Sequence, residues 1–310
     1  MNVLLFALIC LIWGVTWIAL KFGIAVVPPL IFAGSRFIVA GAALIGYLFW
    51  RGEPLTVARA DLPRLAGATL TMVVGTYALL FWGTLYVSSG LSAVLNLATM
   101  PIALLSIGLA AGEETFSQRK GAAILSGTIG LAILFAPRIA GSSVGSALEL
   151  FGAAAVAGSA IAYALGSVLA RPLLRRYPAA LLSALTIFYG GLVLTAIALV
   201  FEQGAVAALK GDWGVMAWLG WLFLVLFGSL CAYTMYMRLL RDWGPARVGT
   251  YAFISPIVAV LLGALVFHER LTLIEALGMV AMLAGAWLSL VPMRTSHRTS
   301  ELRIVPRDSA

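Results

Sequence analysis

The sequence predicts an all-α polytopic membrane protein of ten transmembrane helices, and three observations carry that reading. Ten apolar stretches, each close to the roughly 20 residues a helix needs to cross a bilayer, fill nearly all of the 310 residues. Hydrophobic residues make up 62% of the chain and charged residues only 10%. The mean hydropathy of +1.05 lies far outside soluble-domain averages.

Each span can be justified in turn. The first, residues 3–20, has neither the charged leading segment nor the small-residue cleavage site of a signal peptide, and Lys21 closes it as helix one. The second, 30–50, follows Pro29 and stops at Arg51. The third and fourth, 64–85 and 88–111, flank a very short hinge, and the fourth carries Pro101 in its interior. The fifth, 119–136, opens on Arg119 and Lys120. Arg171, Arg175 and Arg176 separate the sixth, 147–170, from the seventh, 181–200. The eighth, 214–237, ends before Arg238 and Arg241; the ninth, 247–267, carries Pro256; the tenth is 272–291. Residues 294–310 are basic and rich in Ser and Thr, which suits a disordered cytoplasmic tail.

The net charge of +8 is topological rather than a nucleic-acid footprint. Of the twenty Lys and Arg residues, fifteen lie in the even-numbered hinges and the tail; Lys21, Arg138, Lys210 and Arg270 lie opposite, and Arg36 is inside span two. The positive-inside rule then places both termini in the cytoplasm. Abundant alanine and a preference for arginine over lysine suit a GC-rich bacterial source, hence a bacterial inner (plasma) membrane. Cys10 and Cys231 lie within spans without companions at metal-ligand or redox spacing, so no metal or cofactor is expected. Paired carboxylates within spans, an H-E-x-x-H motif, a serine with a neighbouring base and a phosphate-binding P-loop are all missing, which argues against an enzyme or an ATP-driven pump.

The two halves are similar. Pro101, Glu114, Gly130 and Pro137 recur 155 positions later as Pro256, Glu269, Gly285 and Pro292, while Pro29 and Gly41 recur after 149 positions as Pro178 and Gly190. The chain therefore reads as a first five-helix repeat, 1–137, and a second, 138–293. An odd number of crossings per repeat inverts the second copy, which is the physical basis of alternating access. Pro101 and Pro256 strip the carbonyls of Leu97 and Ala252 of their helical donors, so both helices are expected to kink and to serve as hinges. Glu114 and Glu269 fall at opposite faces after inversion, so they read as turn or cap residues rather than as one coupling site.

Polar and aromatic residues inside the spans nominate a binding site. The Arg36 guanidinium either snorkels to the outer interface or faces a cavity. Its counterpart 149 positions on is Leu185, so the fold does not demand a charge there, and a carboxylate-holding role is favoured. Trp13 and Trp17 share a face of helix one; Tyr77, Phe81 and Trp82 lie deep in helix three; Tyr163, Tyr233, Tyr236, Tyr251 and Phe253 follow in the second half. They serve either helix packing or a cavity suited to an amphipathic solute, with Asn96 satisfying a freed backbone group or a ligand. Since Asp61, Asp212, Asp242 and Asp308 all lie in hinges or the tail and no glutamate is near mid-span, proton coupling is not expected. Small residues four apart, at Ala162 and Gly166, Ser126 and Gly130, and Ala281 and Gly285, are expected to admit close helix contacts.

Trp13-Gly14-x-x-Trp17, Lys21, Pro29 with Arg36, and the segments Gly112-Glu113-Glu114 and His268-Glu269-Arg270 resemble the EamA-type members of the drug/metabolite transporter superfamily over about residues 3–292. The resemblance implies a central cavity lined mainly by helices one to four and six to nine, with helices five and ten peripheral. It also implies export of small metabolites, amino acids with aromatic or apolar side chains foremost, the bacterial aromatic amino acid exporter being the nearest functional analogue. A multidrug or other metabolite exporter, proton-coupled, is the alternative. The expected partners are the solute and the lipid bilayer, with the protein a monomer or homodimer.

Overall fold

The computed structural model describes residues 1–87, 89–139, 146–267 and 272–290; the side chains of Trp17, Lys21 and several helix-end residues fall outside the described set. Among the described residues all regular structure is helical, and ten helices are long and apolar enough to span a membrane. They are α1 Asn2–Ile24, α2 Pro29–Trp50, α3 Arg59–Thr84, α4 Ser89–Ala110, α5 Gln118–Ile139, α6 Ala147–Leu174, α7 Ala179–Phe201, α8 Val215–Trp243, α9 Tyr251–Phe267 and α10 Leu273–Leu290. The chain is a polytopic membrane protein, and a bilayer interior without water admits only segments that close their backbone hydrogen bonds internally.

Every expected span has its helix, and the differences in length have physical causes. α8 runs past residue 237 and α6 past 170 because the added turns carry Leu239, Leu240, Leu173 and Leu174, all of them buried in the core. α9 starts later than expected, at Tyr251, because Gly244 breaks the chain and a separate turn, Pro245–Val248, precedes it. Two features escaped the sequence: α3 contains a π segment at Leu70–Gly75, and α8 one at Leu224–Tyr233. A π turn takes one residue more than an α turn, so it re-aims the side chains that follow. The Thr76 hydroxyl accommodates the first of these turns by donating to the carbonyl of Thr71 at 3.0 Å.

Charged residues organise the links, as expected for Glu114. Its carboxylate accepts from the Ala246 amide at 3.0 Å and pairs with Lys120 at 2.6 Å, tying the α4–α5 link to the turn before α9. Gly244 makes room: its φ of +82° belongs to glycine, and a Cβ there would stand 2.6 Å from Glu114 Oε1. Glu113 pairs with Arg171 at 3.1 Å and Arg175 at 2.5 Å, and Asp61 with Arg176 at 3.0 Å. Toward the other end, the Glu202 carboxylate caps α2 by accepting from the amides of Leu30 and Ile31 at 2.9 and 3.0 Å. Glu269, Pro292 and the tail 294–310 lie outside the described residues.

α2 lies antiparallel along α7, and α5 along α10, while α6 packs on α3 and α4 and α1 packs on α8 and α9. Small residues set these distances. A Cβ on Gly34 would meet Thr195 and Gly191; one on Gly130 would stand 2.6 Å from the Gly278 carbonyl and the Met282 amide; one on Gly166 would stand 2.5 Å from Met72. Ser126 adds a hydrogen bond to the Ala281 carbonyl at 2.9 Å. Gly46, by contrast, has nothing within 4 Å. Gly130→Val is therefore expected to destabilise the bundle by about 1–3 kcal/mol through overpacking, read as a lowered thermal midpoint in detergent, while Gly46→Ala leaves the midpoint unchanged.

Candidate functional site

Where α1, α2, α3, α4, α6, α8 and α9 converge they line a partly open cavity of about 160 Å³. α1 presents Trp13, Thr16 and Leu20, a stripe at i, i+3 and i+7. α2 gives Arg36 and Phe37; α3, immediately after its π segment, gives Thr76, Tyr77, Leu80 and Phe81. Asn96, Leu97 and Met100 come from α4, Tyr163 from α6, Leu224, Gly228 and Tyr233 from α8, and Tyr251 and Ser255 from α9. α7 supplies none of these lining residues, unlike the expectation, because its glycine-bearing face is occupied: Gly191 packs on α2 and Gly190 on Val73 of α3.

Arg36 is turned inward and does not snorkel. It is 6% exposed, and its Nη2 donates to the Tyr77 hydroxyl at 3.0 Å. Its guanidinium carbon lies 4.6 Å from the ring centre of Phe37 and 5.3 Å from that of Tyr77, and those rings meet edge-on at 5.0 Å. Among the described residues no carboxylate pairs with it, and its Nε has no hydrogen-bond partner. A buried cation with one neutral partner and an open donor is poised for an anion.

Opposite lies an aromatic wall. Trp13 meets Tyr251 at 4.4 Å and Tyr236 at 5.5 Å, and Tyr236 meets Tyr163 at 5.3 Å. Tyr236, wholly buried behind the lining, is fixed by a 2.8 Å hydrogen bond with Ser167, which keeps these rings in register. Asn96 lies at the cavity edge and donates from Nδ2 to Ser159 Oγ at 2.8 Å, joining α4 to α6. Ser159 in turn donates to the Val156 carbonyl at 2.6 Å.

The profile of the EamA-like transporter family matches residues 1–136 and 150–291. The chain belongs to the EamA-like transporter family. As such it is a small-molecule transporter of the drug/metabolite transporter superfamily and not an enzyme. It is 33% identical to the uncharacterised inner membrane transporter YedA of Escherichia coli K12 over 280 residues, covering 89% of this chain and 86% of YedA. A probable amino-acid metabolite efflux pump of Salmonella typhimurium LT2 is 22% identical, with 95% and 96% covered. A solved crystal structure matches at a TM-score of 0.80 and 18% identity over 93% of this chain and 96% of the other, a likeness of fold alone.

Of the residues nominated from sequence, the EamA-like fold brings Trp13, Arg36, Tyr77, Phe81, Asn96, Tyr163, Tyr233 and Tyr251 to one cavity. Trp82 stands apart: it is 43% exposed and packs on Tyr86 at 5.1 Å, roughly 100° round the helix from Phe81. The Trp17 side chain lies outside the described residues. Pro101 and Pro256 lie inside α4 and α9 and are not among the residues lining this cavity. Thr16, Thr76 and Ser255 were missed, although Ser255 gave a signal, being a polar residue four positions after Tyr251 and just before a mid-helix proline. Asn96→Ala is expected to lower stability by about 1 kcal/mol, since one buried hydrogen bond is lost while Ser159 keeps its bond to Val156; a thermal melt in detergent measures it.

Proposed function

We propose that this EamA-like protein exports small carboxylate-bearing metabolites, amino acids with aromatic or apolar side chains foremost, without coupling to protons. The observation that carries the reading is Arg36, buried at the wall of an aromatic cavity with an open Nε donor and no acidic partner among the described residues. A carboxylate supplies the missing charge and accepts from the fork of donors, while Trp13 and the tyrosines receive a flat apolar side chain. The cavity's volume, about 160 Å³, lies well under the roughly 300–1,000 Å³ of drug-sized pockets. A cationic drug would also meet the like charge of Arg36, which speaks against a multidrug role. The printed description of the Salmonella typhimurium relative, a probable amino-acid metabolite efflux pump, points to the same solute class.

Alternating access between inverted repeats is the proposed mechanism. It is supported by the antiparallel packing of α2 on α7 and α5 on α10, the helices that the sequence offsets equate, and by π segments in both α3 and α8. Pro101 and Pro256 act as the paired hinges in this scheme. Among the described residues, the lining carries no Asp, Glu or His that could cycle a proton as the site alternates. The description of YedA as an inner membrane transporter and the basic residues of the even hinges support a bacterial inner-membrane location with both termini cytoplasmic.

Uptake of labelled phenylalanine into proteoliposomes tests the reading. Flux is expected, and it is expected to be the same with and without an imposed pH gradient; flux that follows the gradient removes the uncoupled mechanism. Arg36→Ala is expected to reduce carboxylate transport by roughly 10- to 100-fold, the weight of a charge-assisted hydrogen bond, with insertion intact. Unchanged flux removes the carboxylate role. Pro256→Ala is expected to slow transport more than it weakens binding, and full rate in that variant excludes the hinge.

A further inference from the structure

Hydroxyls on these helices mostly turn back onto their own backbone. Thr16 donates to the Trp13 carbonyl, Ser35 to Phe32, Ser159 to Val156 and Ser167 to Tyr163. That is the ordinary way to satisfy a serine or threonine in a membrane helix. Ser92, Thr128, Thr195, Ser229 and Ser255 do otherwise, and of these Ser255 alone is among the described residues that line the cavity. It is 2% exposed, lines the cavity and has no hydrogen-bond partner for its Oγ. The hydroxyls of Tyr163 and Tyr233, 7% and 5% exposed, line the same cavity; the first stands beside the hydroxyls of Tyr236 and Tyr251 and the second beside Thr186, partners to which each can donate while its lone pairs stay open to a donor. Three buried hydroxyls on α6, α8 and α9 thus have unspent hydrogen-bonding capacity toward one small cavity.

What sets Ser255, Tyr163 and Tyr233 apart is that their oxygens gather at one cavity, where a solute can pair with them. The carboxylate of the solute is not the group that does so, since Arg36 on α2 already offers it a charged donor. The chemistry left over is acceptance: a hydroxyl oxygen has lone pairs to give, and a primary ammonium has three N–H donors to place. The rings of Trp13 and Tyr251, 4.4 Å apart on the same wall, add aromatic faces that attract a cation.

We propose that Ser255, with the Tyr163 and Tyr233 hydroxyls, forms the subsite that receives the α-ammonium group of the solute and so distinguishes amino acids from simple carboxylates. This rests on the amino acid reading given above. No acidic residue among those described lines the cavity, so the ammonium is held by neutral oxygens and ring faces. Such a site recognises the group without the strong charge pair that would slow its release, which suits a carrier. It also leaves Arg36 free of an internal counter-ion.

The test is a tryptophan-fluorescence titration of the full-length protein in detergent with L-phenylalanine and with 3-phenylpropionate, which lacks only the amino group. The wild type is expected to bind phenylalanine more tightly. Ser255→Ala and Tyr233→Phe are each expected to weaken phenylalanine about ten-fold and to leave phenylpropionate within two-fold. Retained phenylpropionate binding also shows that each variant is folded. Arg36→Ala should weaken both ligands. Equal losses of the two ligands in the Ser255 and Tyr233 variants, or no loss in either, overturns the ammonium subsite while leaving the carboxylate reading in place. Wild type that binds phenylpropionate but not phenylalanine, or neither ligand, overturns the amino acid reading and the subsite with it.

Discussion

Inside a bilayer, helices gain nothing by hiding apolar surface from water, so close backbone approach has to hold them together. Here that approach is made at glycines. Gly34 on α2 sits against Gly191 and Thr195 on α7, and Gly41 sits against Phe188. Spending this face of α2 on α7 decides where the rest of the helix points. Arg36, two residues and roughly 200° beyond Gly34, is turned to the opposite side, into the interior. The position of the cation, and so the chemistry of the cavity, follows from a contact made by residues that carry no side chain.

The protein treats this charge unlike the paired charges at the links between helices. Glu113, Glu114 and Asp61 are paired with Arg171, Arg175, Lys120 and Arg176 at the links between helices. Arg36 has instead a neutral phenol and the face of a phenylalanine ring. Burying a charge costs several kcal/mol even after relaxation, and a protein carboxylate beside it would offset that cost. The same carboxylate would also cancel the attraction for an anionic solute. Tyr77 is a compromise: it steadies the guanidinium without neutralising it. The π segment that ends at Gly75 delivers Tyr77, and Thr76 with it, to that position.

Membership of the EamA-like family accounts for transport but not for choice of solute. Choice lives in the lining, and the lining is divided. A cation and its ring partners come from α2 and α3, while rings and neutral hydroxyls come from α1, α6, α8 and α9. Leu185, which stands 149 positions after Arg36, is partly buried and packs among apolar residues such as Tyr177 and Leu181. The charge at position 36 thus has no equivalent at the offset position, and the polarity of the cavity rests on it.

The number, order and approximate ends of the helices were determined by the sequence alone, because the cost of placing polar residues in a bilayer is local and adds along a segment. The role of Glu114 at its link was legible for a similar reason: a charge at the end of an apolar run must find partners nearby. Which face of each helix looks inward was decided only in three dimensions. A soluble helix betrays its outer face by polarity, whereas a membrane helix is apolar toward lipid and toward the core alike. Phe81 and its neighbour Trp82 look equivalent in the chain, yet one lines the cavity and the other faces away. The inward turn of Arg36, the π segments in α3 and α8, the exclusion of α7 from the lining and the unpaired oxygen of Ser255 all depend on contacts between helices distant in sequence, where glycine packing sets the rotation of each helix and the partners left to its polar atoms.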